Sequence, residues 1–183
     1  MRAELLEKKN RLLELIRRRS LLQNRDFVLS SGRSSSFFFD MKRTLLDPEG
    51  ATLVADLLFD MIRDEDVDAV GGLETGAIPI VALLCARSWP EKPIAGFFVR
   101  KEMKGHGTDQ RIDGLLETRQ RVILFEDVTT TGGSVMQAAE QVLRRDCRIV
   151  KIISIVDRLE GAAENFTKAG IAFESLFTWR DFG

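Results

Sequence analysis

Two apolar runs, RVILFED at 121–127 and CRIVKIISIVD at 147–157, flank the segment GGSVMQAAEQVLRRD. Consecutive apolar residues, rather than strict alternation, mark strands buried on both faces. The segment between them, 132–146, keeps a helical apolar period. The rest of the chain repeats the theme. DPEGATLVADLLFDMIRD (47–64) opens on Asp47-Pro48, an N-cap followed by a first-turn proline, and ETGAIPIVALLCARS (74–88) starts as a polar turn and becomes a helix. EGAAENFTKAG (160–170) is a further helix closing at Gly170, while VDAVGG (67–72), PIAGFFVR (93–100) and IAFESLF (171–177) add strands. Strands alternating with helices predict an α/β class with a mostly parallel central sheet flanked by helices. In such sheets ligands bind outside the carboxyl ends of the strands. Three predicted strands end suggestively, in Gly71-Gly72-Leu73-Glu74-Thr75-Gly76, in Glu126-Asp127 and in Asp157-Arg158.

The 183 residues suit one domain, 1–183. A formal net charge of −1 gives no global field to recruit nucleic acid or a membrane, so an anionic ligand must be met by local cations. Cys85 and Cys147 read as buried reduced thiols, and with a single histidine a zinc site is not expected. The first twenty residues are charged throughout and lack the apolar core of a signal peptide. They predict a helix with a leucine and isoleucine stripe, closed by Arg17, Arg18 and Arg19 where cations suit the helix dipole. The longest apolar run, AIPIVALLCA at 77–86, is too short to span a bilayer. A cytoplasmic protein is the expectation. FVLSSGRSSSFFFDM (27–41) reads as two short strands around a Gly-Ser turn, and KEMKGHGTDQRIDG (101–114), charged and glycine-rich without an apolar period, reads as a loop.

The stretch VILFEDVTTTGGS (122–134) carries the most chemistry. A buried strand runs into two acids and then into a Thr/Gly/Ser turn that opens a helix. Glycines let backbone approach an anion, and a helix N-terminus offers unpaired N–H groups and the positive end of the dipole. This describes a phosphate cradle, without the lysine of a Walker A loop and without GxGxxG spacing. Carboxylates beside a phosphate would repel it, so they must face something else, such as adjacent ribose hydroxyls or metal-bound water.

As a whole this stretch resembles the phosphoribosyl diphosphate (PRPP) motif of the type I phosphoribosyltransferases. The resemblance implies that Glu126 and Asp127 hold the ribose hydroxyls, and that Val128, Thr129, Thr130, Thr131, Gly132, Gly133 and Ser134 surround the 5′-phosphate, with Thr130 towards the base. GGLETGAIP (71–79) then corresponds to the family's pyrophosphate loop, with Glu74, Thr75 and Gly76; some members carry lysine where this chain has Gly76.

Other stretches narrow the family to the orotate phosphoribosyltransferases. FFVRKEMKGHG (97–107) is similar to their mobile catalytic loop, with Arg100, Lys101, Lys104 and His106 in an R-K-x-x-K-x-H pattern. By composition alone four potential cations so close together fit a solvated charged loop as well as an anion site; the resemblance implies the latter, with a diphosphate leaving group as the anion. IVDRLEGAAENF (155–166) resembles the family segment whose arginine, here Arg158, contacts orotate, and SGRSSSFFFDMKRTLLDPEG (31–50) resembles the N-terminal segment whose aromatic pair, here Phe38 and Phe39, packs on the orotate ring. Strand alternation on its own would send one of that pair to the core and the other to the surface. Many members carry lysine at the position of Ser30; Lys42 or Arg43 is the substitute available here.

The resemblance implies a PRPP- and orotate-binding enzyme giving diphosphate and orotidine 5′-monophosphate, Mg²⁺ held through substrate oxygens and through water to Asp127 rather than by dedicated ligands, and catalytic roles for Lys101, Lys104, His106 and Asp127. It also implies a hood built from 20–45 with the C-terminal segment, closure of the 101–114 loop, and a homodimer with shared active sites.

Overall fold

The computed structural model describes residues 3–28, 34–102 and 111–183. Ser30, Lys104 and His106 lie outside the described residues, so the expectations placed on them are not met by any observation below. In chain order the elements are α1 (Ala3–Arg19), β1 (Leu21–Val28), β2 (Ser34–Phe39), α2 (Lys42–Leu45), α3 (Pro48–Ile62), β3 (Ala69–Gly71), α4 (Ala77–Ser88), β4 (Ala95–Val99), β5 (Ile112–Gly114), β6 (Arg121–Thr129), α5 (Gly133–Leu143), β7 (Arg148–Asp157), α6 (Ala162–Lys168) and β8 (Ala172–Thr178), closed by a 3₁₀ turn (Trp179–Asp181).

Six strands form the central sheet in the order β5-β4-β3-β6-β7-β8. Neighbours are parallel except β4 and β5, which run antiparallel at one edge. The expected α/β sheet is therefore present. β6 shows why the apolar runs read as doubly buried: Ile123 and Phe125 point into the core shared with α1, α3 and α4, and Val122 and Leu124 into the core under α5 and α6. Alternate side chains of one strand feed two cores, so both parities must be apolar.

Element ends differ from the sequence expectation where pairing is non-local. β6 continues past its acids to Thr129 because Val128 and Thr129 pair with Val156 and Asp157 of β7. The last residues of the 101–114 segment form β5, since Ile112, Asp113 and Gly114 pair with Val99, Phe98 and Phe97. The Asp47 cap is as read: its Oδ1 accepts from Gly50 N–H at 3.0 Å, a contact worth about 1 kcal/mol. α1 buries Leu12, Leu15 and Ile16, whereas Leu6, part of the predicted stripe, stays exposed.

β1 and β2 form a separate antiparallel ribbon. The chain end folds back onto it. Trp179 stacks on Phe37 with ring centres 3.8 Å apart, and Phe182 meets Phe39 at 4.9 Å. This aromatic cluster joins the ribbon to the main core and fixes it over the carboxyl ends of β6 and β7. Among the described residues no helix is long and apolar enough to cross a membrane.

Candidate active site

A cavity of about 790 Å³ opens at the carboxyl ends of the parallel strands. Its wall collects Phe38 and Phe39 from β2, Lys42 from α2, Glu74, Thr75 and Gly76 before α4, Lys101 after β4, every residue from Glu126 to Val135, and Arg158 after β7. Sequence segments more than a hundred residues apart thus meet in one place, as the switch-point rule for open α/β sheets requires.

The phosphate cradle is held from behind. Gly132 has φ +84°, and a Cβ there would come within 2.4 Å of the Phe166 ring. Asn165 Nδ2 donates to Thr131 carbonyl oxygen at 2.9 Å. Two residues of α6 therefore fix the turn from which α5 starts. Among the described residues no side chain caps that helix, so its first-turn N–H groups are open to an anion.

The acid pair occupies the floor. Glu126 is buried, and its Oε2 has no hydrogen-bond partner among the described residues. Burial, then the neighbouring Asp127 charge, pushes the Glu126 carboxyl well above the usual carboxylate range. Burial also raises Asp127, against the pull of Val128 N–H, which donates to Oδ1 at 2.8 Å. Lys101 and Lys42 are the cations whose fields favour the ionised acids. The floor is a partly unsatisfied acceptor site, and ligand hydroxyls or a hydrated cation would complete it. Gly76 makes room for it: a Cβ there would lie 2.6 Å from Asp127 Oδ1 and 3.1 Å from Glu126 Oε1.

Arg158 closes the opposite end. Its Nη2 donates to Ser35 Oγ at 2.9 Å and pairs with Glu160 Oε1 at 2.8 Å. Its Cζ lies 4.2 Å from the centre of the Phe37 ring, and its buried Nε has no partner among the described residues. Burial lowers its pKa against the pull of Glu160.

A phosphoribosyl transferase domain model matches residues 42–179. An orotate phosphoribosyltransferase of Bradyrhizobium diazoefficiens is 48% identical over 177 residues, covering 94% of each chain. The chain belongs to the orotate phosphoribosyltransferase family. An orotate phosphoribosyltransferase of Aquifex aeolicus is 39% identical over 94% of this chain and 96% of the relative. Among solved structures, the orotate phosphoribosyltransferase of Mycobacterium tuberculosis in complex with Fe(III) dicitrate superposes with a TM-score of 0.84 at 35% identity, covering 96% of this chain and 99% of that one. The same organism's enzyme in complex with PRPP gives 0.78 at 30%, over 97% and 92%. The fold is that of the type I phosphoribosyltransferases.

Measured against that family, most residues singled out from sequence line one cleft. Arg100 does not: its Nε pairs with Asp113, and its guanidinium lies 5.5 Å from the Phe98 ring. Phe39 is buried among aromatic rings and reaches the cleft as part of its wall, while Phe38 is half-exposed and stacks on Phe27. Lys42 lines the cleft, whereas Arg43 lies outside it, in a shallow surface depression. Gln137 was missed; it lies four residues beyond Gly133 on α5, so helical spacing alone would have turned it to the same side. Ser35, the hydroxyl that holds Arg158, had no sequence signal.

Proposed function

We propose that this chain transfers the ribose 5-phosphate group from PRPP to orotate, giving orotidine 5′-monophosphate and diphosphate, as a step in pyrimidine nucleotide formation in the cytoplasm. The observation that carries the reading is the convergence, in one cavity, of the acid pair, the uncapped α5 N-terminus and the buried, incompletely paired Arg158. A sugar hydroxyl site, a phosphate site and a cation for a carboxylated planar base are the three parts that the reaction needs.

Inversion at the anomeric carbon proceeds through an oxocarbenium-like transition state, with charge growing on the departing diphosphate. Catalysis rests on positioning and electrostatics rather than on a covalent intermediate. Glu126 and Asp127 fix the ribose hydroxyls, Thr129 to Ser134 hold the 5′-phosphate with Thr130 towards the base, and Glu74, Thr75 and Gly76 border the diphosphate. Lys101, Lys104 and His106 neutralise the leaving group, and Lys42 supplies the cation that Ser30 does not. The oxygen-only floor fits Mg²⁺: its hard carboxylate donors suit that ion, which arrives with substrate phosphates and water rather than in a protein cage. Asp127, through water, would hold it, and the ion would supply charge neutralisation at the diphosphate. Closure of 101–114 under a hood of 20–45 and the C-terminal segment would exclude water.

The deciding assay supplies PRPP and Mg²⁺ with orotate, uracil, hypoxanthine or adenine and follows diphosphate release. Turnover is expected with orotate. Turnover with a purine instead, or none with any base, would replace the reading by another phosphoribosyltransferase or by a PRPP-sensing protein.

We further propose a homodimer whose loop, with Arg100, Lys101, Lys104 and His106, serves the neighbouring site. Inactive Lys101→Ala and Asp127→Asn chains, mixed so that hybrids form, should regain up to about a quarter of wild-type activity through the one intact site in each hybrid. Hybrids without activity would show that each chain completes its own site.

A further inference from the structure

Arg158 is one of the least exposed charges in the molecule, with a side chain 3% accessible. Both polar contacts of its Nη2 lead away from the cleft floor, to Ser35 on β2 and to Glu160. Nε and Nη1 carry the donors that those contacts leave, and Nε has no hydrogen-bond partner among the described residues. Their direction is therefore set by how firmly the guanidinium is held, and part of that hold is the face of Phe37.

Phe37 is itself held on its other face. The Trp179 ring lies parallel to it, 7° between planes and 3.8 Å between centres. Two groups cannot both sit about 4 Å from one ring centre on the same side, so Phe37 is sandwiched between the guanidinium and the indole. A two-stranded ribbon is marginal alone, and β1–β2 has an irregular register between Gln23 and Phe27. Trp179 does not line the cleft. It is anchored instead by its own turn: Thr178 and Asp181 form a reciprocal capping box, Arg17 Nη2 donates to Asp181 carbonyl oxygen at 3.0 Å, and Phe182 is buried.

We propose that Trp179 is a positioning residue for base recognition, acting through Phe37 on the guanidinium of Arg158. The stack does two things. It replaces part of the water lost by a buried guanidinium with a π face, and it ties the base-facing donor to the C-terminal turn, which is packed on the core. The proposal rests on the orotate reading for what the donor meets, and on the geometry of the stack alone for what holds it.

The test uses the full-length protein and two readouts. The Nε–H resonance of Arg158, assigned by its loss in Arg158→Lys, should be sharp and slow to exchange in the wild type, broadened in Trp179→Ala and restored in Trp179→Phe. In the kinetic arm, Trp179→Ala should raise KM for orotate about three- to tenfold, the scale of one lost aromatic contact, with KM for PRPP changed less than about twofold. Phe37→Leu, which keeps apolar bulk without a π face, should reproduce both effects if Trp179→Ala does not fold. An unchanged Arg158 resonance in folded Trp179→Ala or Phe37→Leu overturns the proposal, as does a rise in PRPP KM that matches the rise for orotate. If the wild type uses another base, the orotate reading fails on its own, and the Arg158 resonance still decides whether Trp179 positions it.

Discussion

The double variant Glu126→Gln/Asp127→Asn is expected to lose about a thousandfold in kcat/KM and yet to melt above the parent at pH 8. Each carboxylate is read as an acceptor for a ribose hydroxyl. Hydrogen bonds to a charged group are worth about 1.5–3 kcal/mol, and about 1.4 kcal/mol is tenfold in rate, so two of them give about that loss. The stability gain follows from the floor's geometry. Glu126 is buried and Asp127 half-buried beside it, and Glu126 Oε2 has no partner among the described residues. Burial raises both pKa values in the fold above their unfolded values. Over the window from the ordinary carboxylate range up to those raised values the folded chain binds more protons than the unfolded one, so stability falls as pH rises. The penalty is complete above the window and absent below about pH 4. The amide pair removes it, so the Tm gain should be greatest at pH 8 and vanish in acid. For a chain of this size about 2–4 °C is expected per kcal/mol relieved. Thermal melts from pH 4 to 8 check this. A variant that melts lower at pH 8, with the parent's pH slope intact, would mean that the acids hold the fold together rather than await a ligand.

That pair also shows how far a sequence can be read. The β6–α5–β7 unit was legible because continuous apolar residues have one explanation, burial on both faces. The acid pair was legible as an anomaly, since carboxylates at a buried strand end need a reason. The continuation of β6 through Thr129 was not, because it depends on register with Asp157. β5 was hidden for the same reason: Ile112–Gly114 has no period of its own and becomes a strand only against β4. The surroundings of Arg158 were least legible of all. Ser35 is 123 positions away in sequence, and nothing local to Phe37 or Trp179 signals the stack that they form. Propensity is local, whereas the orientation of a guanidinium is set by partners that only the fold assembles. Alternation had assigned Phe38 and Phe39 to opposite sides, and their burial follows it, with Phe39 in the core and Phe38 half-exposed.

Gly76→Ala should cost about a hundredfold in kcat/KM although it adds a single methyl group. That methyl would sit 2.6 Å from Asp127 Oδ1. The carboxylate cannot swing aside without stretching its hydrogen bond from Val128 N–H. The alternative is retreat of the 74–76 segment, which draws Glu74 Oε1 away from Lys101 N–H, now 2.9 Å distant. One route misplaces the ribose site and the other the entrance to the loop after β4, and a displacement of about 1 Å at reacting groups costs about a hundredfold. The accompanying loss of stability should be about 1–3 kcal/mol, as for other overpacked sites. The same geometry says that Gly76→Lys will not add a useful cation here. A double-mutant cycle isolates the cause: in an Asp127→Ala background the clashing oxygen is gone, so Gly76→Ala should then change PRPP binding by less than about twofold. Equal losses in both backgrounds would place the damage in the backbone of the 74–76 turn and not in its approach to the acid pair.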